Sequence, residues 1–350
     1  MQRRAASNTT HPAAPRMRDV AAMAGVSLAT VSRAFSAPEL LSAELRDRVE
    51  AAVRSLDYTP NLNARSLRRR STDVVIVLLP DIGNPFFSVL LKGIEETARG
   101  AGLAILVGDT ARDPELSAAY GQQLDARRAD AMILLNGSLP FKNPRRRPAS
   151  RVQHPVVVVS ERIPGCKLPT VGIDNALAAR EVVELLAKGG HRRIGHIGGP
   201  PDNILTKQRL QGYQEGLSAA ALGRGGNDLI AYGDFTIDSG RAAARRLLHV
   251  SPRPTAIFAS NDEMAVGAII ELKSHGLRVP DDVSVVGFDD IEFAGSYDPP
   301  ITTVRQPRLE MGRVAMKLVI ELLENRPLQQ TEVVLKHELI VRRSTGTVAA

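Results

Sequence analysis

The feature that most constrains this fold is a regular alternation of short apolar runs and helical stretches between residues 74 and 341. Val74–Leu79 is apolar without interruption, which is typical of a parallel strand covered on both faces. Further strands are expected at 103–107, 131–135, 156–159, 193–197, 229–232, 256–259, 283–287 and 332–341. Helices are expected at 87–100, 114–126, 175–188, 205–222, 238–249, 263–275 and 307–324. Two such series with short connections predict an α/β core of two lobes, each a doubly wound parallel sheet.

Aromatic and acidic residues follow several of these predicted strands. Ligands of such sheets bind outside the carboxyl ends of the strands, so these residues are candidates for a ligand site. The pattern suits a neutral, polyhydroxylated ligand with a planar part, stacked on aromatic rings and held by carboxylates. Core filling is the alternative for the two adjacent phenylalanines, and Arg209 is either a cleft cation or a surface group. The candidates lie in the strand-end stretches 80–87 with Phe86 and Phe87, 160–162 with Glu161, 233–235, 260–262 and 288–290.

A pair of short helices around a tight turn is predicted between residues 19 and 35. Gly25 allows the left-handed backbone that ends the first helix, and Ser27 can cap the second. A third helix begins after Ser42, and its apolar stripe completes a small core with Val20, Val31 and Phe35. The second helix then has an outward face of small, polar and basic residues, as is required to read the major groove of DNA. The alternative interpretation is an ordinary pair of surface helices. That face consists of Leu28, Ala29, Ser32 and Arg33.

Positive charge is concentrated around this helix pair. The formal net charge of the chain is +7, and residues 1–72 hold 12 arginines against 6 acidic residues. Local positive charge indicates a polyanionic partner, because neutralised phosphates release counterions. The basic stretch 61–70 is either a linker or a segment that folds against DNA with Leu67 as an apolar wedge.

Other classes of function have little support in the sequence. The single cysteine, Cys166, excludes an internal disulfide framework and fits a cytoplasmic protein. Neither a secretory signal nor a membrane span is recognisable. Phosphate-loop and nucleophile-elbow motifs are absent, and the seven histidines lack metal-ligand spacing. We therefore expect no cofactor, no metal and no enzymatic activity.

Several motifs, in their order along the chain, resemble the lactose-repressor/galactose-repressor (LacI/GalR) family of transcriptional regulators. The amino-terminal ones are Asp19–Arg33, Tyr58–Asn61 and Ala64–Arg68. Those of the core are Asn84–Phe87, Gly233–Phe235, Ser260–Ala265 and Gly287–Asp290. Within the family the chain is most similar to the cytidine-repressor branch, and the similarity extends from Met17 to about Arg343.

The resemblance implies a helix-turn-helix DNA-binding domain with a hinge helix. By position, Leu28, Ala29, Ser32 and Arg33 contact base edges. Phosphate contacts are expected from Ser27, Thr30 and Ser36, and Leu67 is expected to enter the minor groove. The hinge residues Asn61, Arg65 and Arg68 complete the expected DNA-binding set.

The resemblance also implies a periplasmic-binding-protein-like core with an effector cleft lined by Phe86, Phe87, Glu161, Arg209, Phe235, Asp262 and Asp289. Strands cross between the lobes, so that the segments near 290–335 return to the first lobe. Asn203 and Leu205 replace the arginine and threonine of the purine-repressor branch, which argues against a purine effector. A nucleoside such as cytidine is expected instead.

These inferences define the expected domain organisation. Residues 1–16 form a disordered arm, 17–60 the helix-turn-helix domain, 61–72 the hinge and 73–343 the core, followed by a tail at 344–350. The first lobe comprises about 73–173 and 291–330, and the second about 174–290 and 331–343.

The expected function is that of a homodimeric repressor whose hold on a double-stranded DNA operator is controlled by the effector. The resemblance alone implies that the effector releases the operator. The residues leave open whether a co-regulator protein binds beside the repressor on the DNA. The alternatives are the same repressor with a pentose effector, a solute-binding protein, or an enzyme acting on sugars or nucleosides.

Overall fold

The structure is a computed structural model that describes residues 15–58, 71–140, 154–223 and 226–348, apart from the side chain of Ser36. The chain divides into two compact units, residues 1–70 and 71–350. None of the helices in the described ranges combines the length and apolar character that a membrane span requires.

Short and medium-length elements make up both units. The helices are α1 (Met17–Ala24), α2 (Leu28–Ser36), α3 (Ala43–Ser55), α4 (Phe86–Gly100), α5 (Pro114–Asp125), α6 (Asn175–Lys188), α7 (Ile204–Ala219), α8 (Ile237–Leu248), α9 (Asp262–Ser274) and α10 (Arg308–Leu323). The strands are β1 (Val74–Leu79), β2 (Ala104–Asp109), β3 (Ala131–Leu134), β4 (Val156–Val159), β5 (Thr170–Ile173), β6 (Ile194–Gly198), β7 (Ile230–Tyr232), β8 (Ala256–Ala259), β9 (Ser284–Val286), β10 (Thr303–Arg305), β11 (Glu332–Leu335) and β12 (Glu338–Ile340).

The first unit contains the predicted three-helix core. Val20 and Val31 are fully buried, and Val49 of α3 belongs to the same buried apolar cluster. Phe35 is half-buried and packs against Tyr58, with ring centroids 6.2 Å apart. The apolar spacing in the sequence therefore identified the residues that hold the three helices together.

The turn between α1 and α2 is fixed from both sides. Gly25 adopts φ +62°, a conformation that glycine tolerates without strain. Ser27 caps α2, its hydroxyl oxygen accepting from the Thr30 amide at 3.1 Å. From α3, the Arg48 guanidinium donates to the Ala24 carbonyl at 2.7 Å and to the Gly25 carbonyl at 3.1 Å. The orientation of α2 thus depends on a long-range contact as well as on local capping.

The second unit contains the two predicted parallel sheets. The first sheet has the strand order β11-β5-β4-β3-β1-β2, and the second has the order β7-β6-β8-β9. All pairings within both sheets are parallel, as the uninterrupted apolar runs indicated. A small antiparallel pair, β10 with β12, lies outside the two sheets.

The chain returns to the first lobe through α10, as the resemblance implied. Met311, Ala315 and Val319 of this helix lie in the same apolar core as strands β1, β3 and β4. The helix packs closely on α4, because a side chain at Gly93 or Gly312 would overlap the backbone of the other helix.

The expected lobe boundaries need correction in three places. Ile291, Ala294 and Ile301 pack in the core of the second lobe, so the return to the first lobe begins after β10 rather than at residue 291. The predicted strand 332–341 is two strands, and β11 pairs with β5 in the first sheet rather than in the second lobe. Ser344 is fully buried and its hydroxyl donates to the Val285 carbonyl, so the first residue of the expected tail packs against the second lobe.

Candidate functional sites

The outer face of α2 is available for a partner. The Leu28 side chain is 52% exposed, and Ala29 and Arg33 are also exposed, whereas Ser32 is half-buried. Val31 on the opposite face is fully buried, so the helix cannot rotate without losing its core contacts. The four residues expected to contact bases therefore share a face that faces away from the core of the first unit.

Ser27 and Thr30 lie at the amino-terminal end of α2, where backbone amides and the helix dipole favour phosphate. Their hydroxyl groups are 2.9 Å apart, so each has the other as a partner. The side chain of Ser36 is outside the described part of the structure. The predicted hinge contacts Asn61, Arg65, Leu67 and Arg68 also lie outside the described residues, and they stay predictions.

The second candidate site is a cavity of about 240 Å³ between the two lobes. It lies at the carboxyl ends of both sheets, where the topology predicts a ligand. Six of the seven residues expected in an effector cleft line it, namely Phe86, Phe87, Glu161, Arg209, Phe235 and Asp289.

The seventh, Asp262, does not line the cavity, and its assignment as an effector contact is corrected. Its side chain is fully buried and points to the crossover between the lobes. One carboxylate oxygen accepts from the Thr303 hydroxyl at 2.6 Å, and the other from the Ile291 amide at 2.9 Å. The adjacent Asn261 lines the cavity instead.

Arg209 is the buried cation of the cleft, with its side chain 2% exposed. Its Nε donates to Asn175 Oδ1 at 3.0 Å, and Nη1 donates to the Ser260 carbonyl. The guanidinium lies over the ring of Phe288, with Cζ 3.7 Å from the centroid. These contacts orient a charge that a surface arginine would leave mobile, so the cleft interpretation of Arg209 fits its position.

Asp289 faces Arg209 across 3.9 Å and accepts from Gln306 Nε2 at 2.7 Å. Burial raises the pKa of Asp289 from 3.8 to about 6, although the nearby Arg209 opposes that shift. The residue has φ 111°, a conformation unusual for a side chain with a Cβ. Strained backbone of this kind concentrates at ligand sites.

Aromatic rings enter the cavity from both lobes. Phe86 and Phe87 meet edge to face with centroids 5.2 Å apart, and both are mostly buried in the first-lobe core. They therefore fill the core and line the cavity at the same time. Phe235 of the second lobe has φ 71° and its ring lies against Gly199, where any Cβ would overlap it.

Polar residues outside the seven expected in the effector cleft also line the cavity. They are Asp81, Asn84, Arg112, Asn136, Ser160, Asn203, Asn261 and Gln306. Asn136 lies two residues after the end of β3, so the strand-end rule would have found it. Gln306 lies on the crossover after β10, and no local pattern marks it.

A polar contact links the lobes at the cavity. Arg112 of the first lobe donates through Nη2 to the Asp234 carbonyl of the second lobe at 2.9 Å. Burial raises the pKa of Glu161, and the nearby second-lobe residue Asn203 partly offsets the rise. Among the described residues, no group of three or more His, Cys, Asp or Glu side chains is arranged to hold a metal ion.

Known proteins share both the helical unit and the two-lobed unit. Residues 16–61 match the family described as bacterial regulatory proteins, lacI family, and residues 183–345 match a periplasmic binding protein-like domain. The chain is 40% identical to the HTH-type transcriptional repressor CytR of Escherichia coli (strain K12), over 94% of this chain and 96% of that protein. The chain belongs to the LacI family. It is a DNA-binding transcriptional repressor of that family with a helix-turn-helix head and an α/β core.

Two further proteins extend the comparison. The ribose operon repressor of Halalkalibacterium halodurans is 33% identical over 94% of this chain and 96% of its own length. The structure of the lac repressor dimer bound to operator and the anti-inducer ONPF has a TM-score of 0.84 and 26% identity, covering 95% of this chain and 99% of that one. All three of these proteins are named as repressors.

Proposed function

We propose that this LacI-family repressor is controlled by a nucleoside, such as cytidine, that binds between the two lobes. The observation that carries the proposal is the composition of the cavity, which combines aromatic rings with a buried arginine and carboxylates. Rings suit the planar face of a base, while Asp289 and Arg209 suit the hydroxyl groups and ring oxygen of a ribose.

Charge around the cavity favours an unphosphorylated ligand. Of the described residues that line it, Arg209 is already engaged by Asp289, Asn175 and the Ser260 carbonyl, and Arg112 is engaged by the Asp234 carbonyl. A phosphate would need one of these cations released, and it would lie near the carboxylates of the same cavity. A nucleoside carries no such requirement.

A pentose effector is the second candidate, supported by the 33% identity to the ribose operon repressor of Halalkalibacterium halodurans. A pentose would use Arg209 and Asp289 but would leave the aromatic half of the cavity without a planar partner. The presence of Phe86 and Phe235 on opposite lobes therefore favours the nucleoside.

Control of DNA binding would follow from the difference in effector affinity between two arrangements of the lobes. An effector that contacts both lobes favours the closed arrangement, and a coupling of about 1–3 kcal/mol is typical for such systems. We propose that the chain acts as a homodimer on a pseudo-palindromic operator, since two-fold proteins match two-fold sites.

The direct test measures ligand binding and DNA release together. A DNA fragment selected by the protein from random sequence serves as operator, and fluorescence anisotropy follows binding with cytidine, cytidine 5′-monophosphate or ribose added. Calorimetry without DNA measures each ligand alone. Binding of cytidine together with a change in operator affinity supports the proposal. Binding of ribose alone supports the pentose, and DNA affinity that none of the three changes contradicts both.

We further propose that α2 reads the operator through Leu28, Ala29, Ser32 and Arg33, with Ser27, Thr30 and Ser36 on phosphates. Charge reversal by Arg33→Glu should abolish specific binding, because it removes a donor to a base edge and adds repulsion from phosphates. Arg54→Glu is the matched control, since it makes the same charge reversal at an exposed position on α3. Equal losses in the two variants would show a general charge effect and contradict base reading by Arg33.

A further inference from the structure

Two hydrogen-bond acceptors lie side by side in the first-lobe wall of the cavity. Asn136 follows β3 and Glu161 follows β4, and these strands are paired in parallel, so their carboxyl ends lie at the same edge. Gly137 lies directly against Glu161, because a Cβ on that glycine would overlap the Glu161 carboxylate. Both Asn136 and Glu161 line the cavity.

The amide of Asn136 has an unpaired acceptor. Its Nδ2 donates to the Ser117 hydroxyl at 3.5 Å. Its Oδ1 is buried and has no partner among the described residues. A buried carbonyl without a donor is costly, so this oxygen favours a ligand that brings an N–H or O–H group.

Glu161 retains capacity to accept hydrogen bonds. The Asn203 Oδ1 atom accepts from the backbone amides of Leu205 at 2.8 Å and Thr206 at 3.3 Å, so the amide nitrogen is the group that Asn203 can turn toward Glu161. Asn203 opposes the rise in the pKa of Glu161 that burial causes. A carboxylate offers about four acceptor positions, so a single donor does not saturate it.

We propose that Glu161 and Asn136 together bind an exocyclic amino group on the base of the effector. An amino group carries two N–H donors, one for each acceptor. An oxo group in that position would place its lone pairs against those of both residues, and a hydroxyl group could satisfy one acceptor. This inference rests on the proposed nucleoside function and narrows it to amino-substituted bases, as in cytidine, over oxo-substituted bases, as in uridine.

A series of ligands on the unmodified protein tests the inference. Isothermal titration calorimetry compares cytidine, uridine and ribose, and we expect cytidine to bind at least about tenfold more tightly than the other two. Uridine that binds as tightly as cytidine overturns the role of the acceptor pair while leaving the nucleoside function standing. Ribose that binds as tightly as cytidine overturns both, as does the absence of binding by any of the three.

A substitution then locates the selectivity. In Glu161→Gln the new amide can donate to the oxo group of uridine, so the preference for cytidine should fall to about threefold or less, chiefly through tighter uridine binding. Glu263→Gln is the matched control, because Glu263 is a half-buried carboxylate that is not among the described residues lining the cavity. A full preference for cytidine in Glu161→Gln would contradict the proposal. The ligand series on the unmodified protein decides the question if that variant does not fold.

Discussion

The buried carboxyl of Asp289 should make the stability of the second unit depend on pH in a calculable way. Its pKa is raised from 3.8 to about 6 in the folded protein, chiefly by burial. The folded state therefore binds this proton more tightly than the unfolded state. The ionised form is penalised at pH 7, and that penalty is removed as the pH falls through about 6.

The size of the effect follows from the two pKa values. A difference of about two pKa units corresponds to about 3 kcal/mol when protonation is complete. Between pH 7 and pH 5, where the experiment is practical, the free energy of unfolding should rise by about 1.4 kcal/mol as the pH falls. Asp289→Asn cannot take up the proton, so its free energy of unfolding should lack this rise.

Urea unfolding followed by circular dichroism at several values between pH 7 and pH 5 measures the effect as a difference between the two proteins. Glu263 has a pKa raised to about 7, first by burial and second by the charge of Asp289, so both proteins also carry Glu263→Gln, which removes this coupled titration. Glu292→Gln, a substitution of an exposed carboxylate, is the control and should follow the unmodified protein. Free energies of unfolding for Asp289→Asn that run parallel to those of the unmodified protein would refute the reasoning.

Further predictions concern the turn of the head, the closure of the cleft and the effector contact. Arg48→Ala should destabilise the first unit by about 1 kcal/mol by removing the bonds to Ala24 and Gly25, measured by thermal unfolding; a variant as stable as the parent would contradict this role. Arg112→Ala should weaken effector binding by about fivefold in calorimetry, since an interlobe bond worth about 1 kcal/mol is lost; unchanged affinity would exclude closure through this contact. Effector affinity should decline as the pH falls below about 6, where Asp289 becomes protonated. If effector affinity depended on pH in the same way in Asp289→Asn, the assignment of Asp289 as an effector contact would be wrong.

Local patterns carried most of the information about the elements. The apolar runs at 74–79, 131–135 and 156–159 need both faces covered, and the structure places the corresponding strands inside the first sheet. The stripe of α3 and the spacing of Val31 and Phe35 identified the core of the head. Such features are encoded within a few neighbouring residues and are independent of what the chain does elsewhere.

Strands without a distinct local pattern were not found in advance. Thr170–Ile173 and Thr303–Arg305 have three or four residues each, too few for a period to emerge, and they become strands through pairing with β4 and β12. β11 lies within the predicted strand 332–341, but its place in the first sheet was missed, because its partner β5 lies about 160 residues earlier in the chain. Pairing over such distances depends on the whole arrangement of the lobes.

The sequence by itself determined the class of the core, the helix-turn-helix head and the strand ends that line the cavity. Tertiary structure decided which of two adjacent residues faces the cavity, since Asn261 lines it while Asp262 is bonded to Thr303 and Ile291 in the crossover. It also decided that Arg209 is buried and engaged and that Asn136 lies beside Glu161. Periodicity assigns a residue to a face or an end, but the partner on that face comes from a distant segment, and only packing brings the two together.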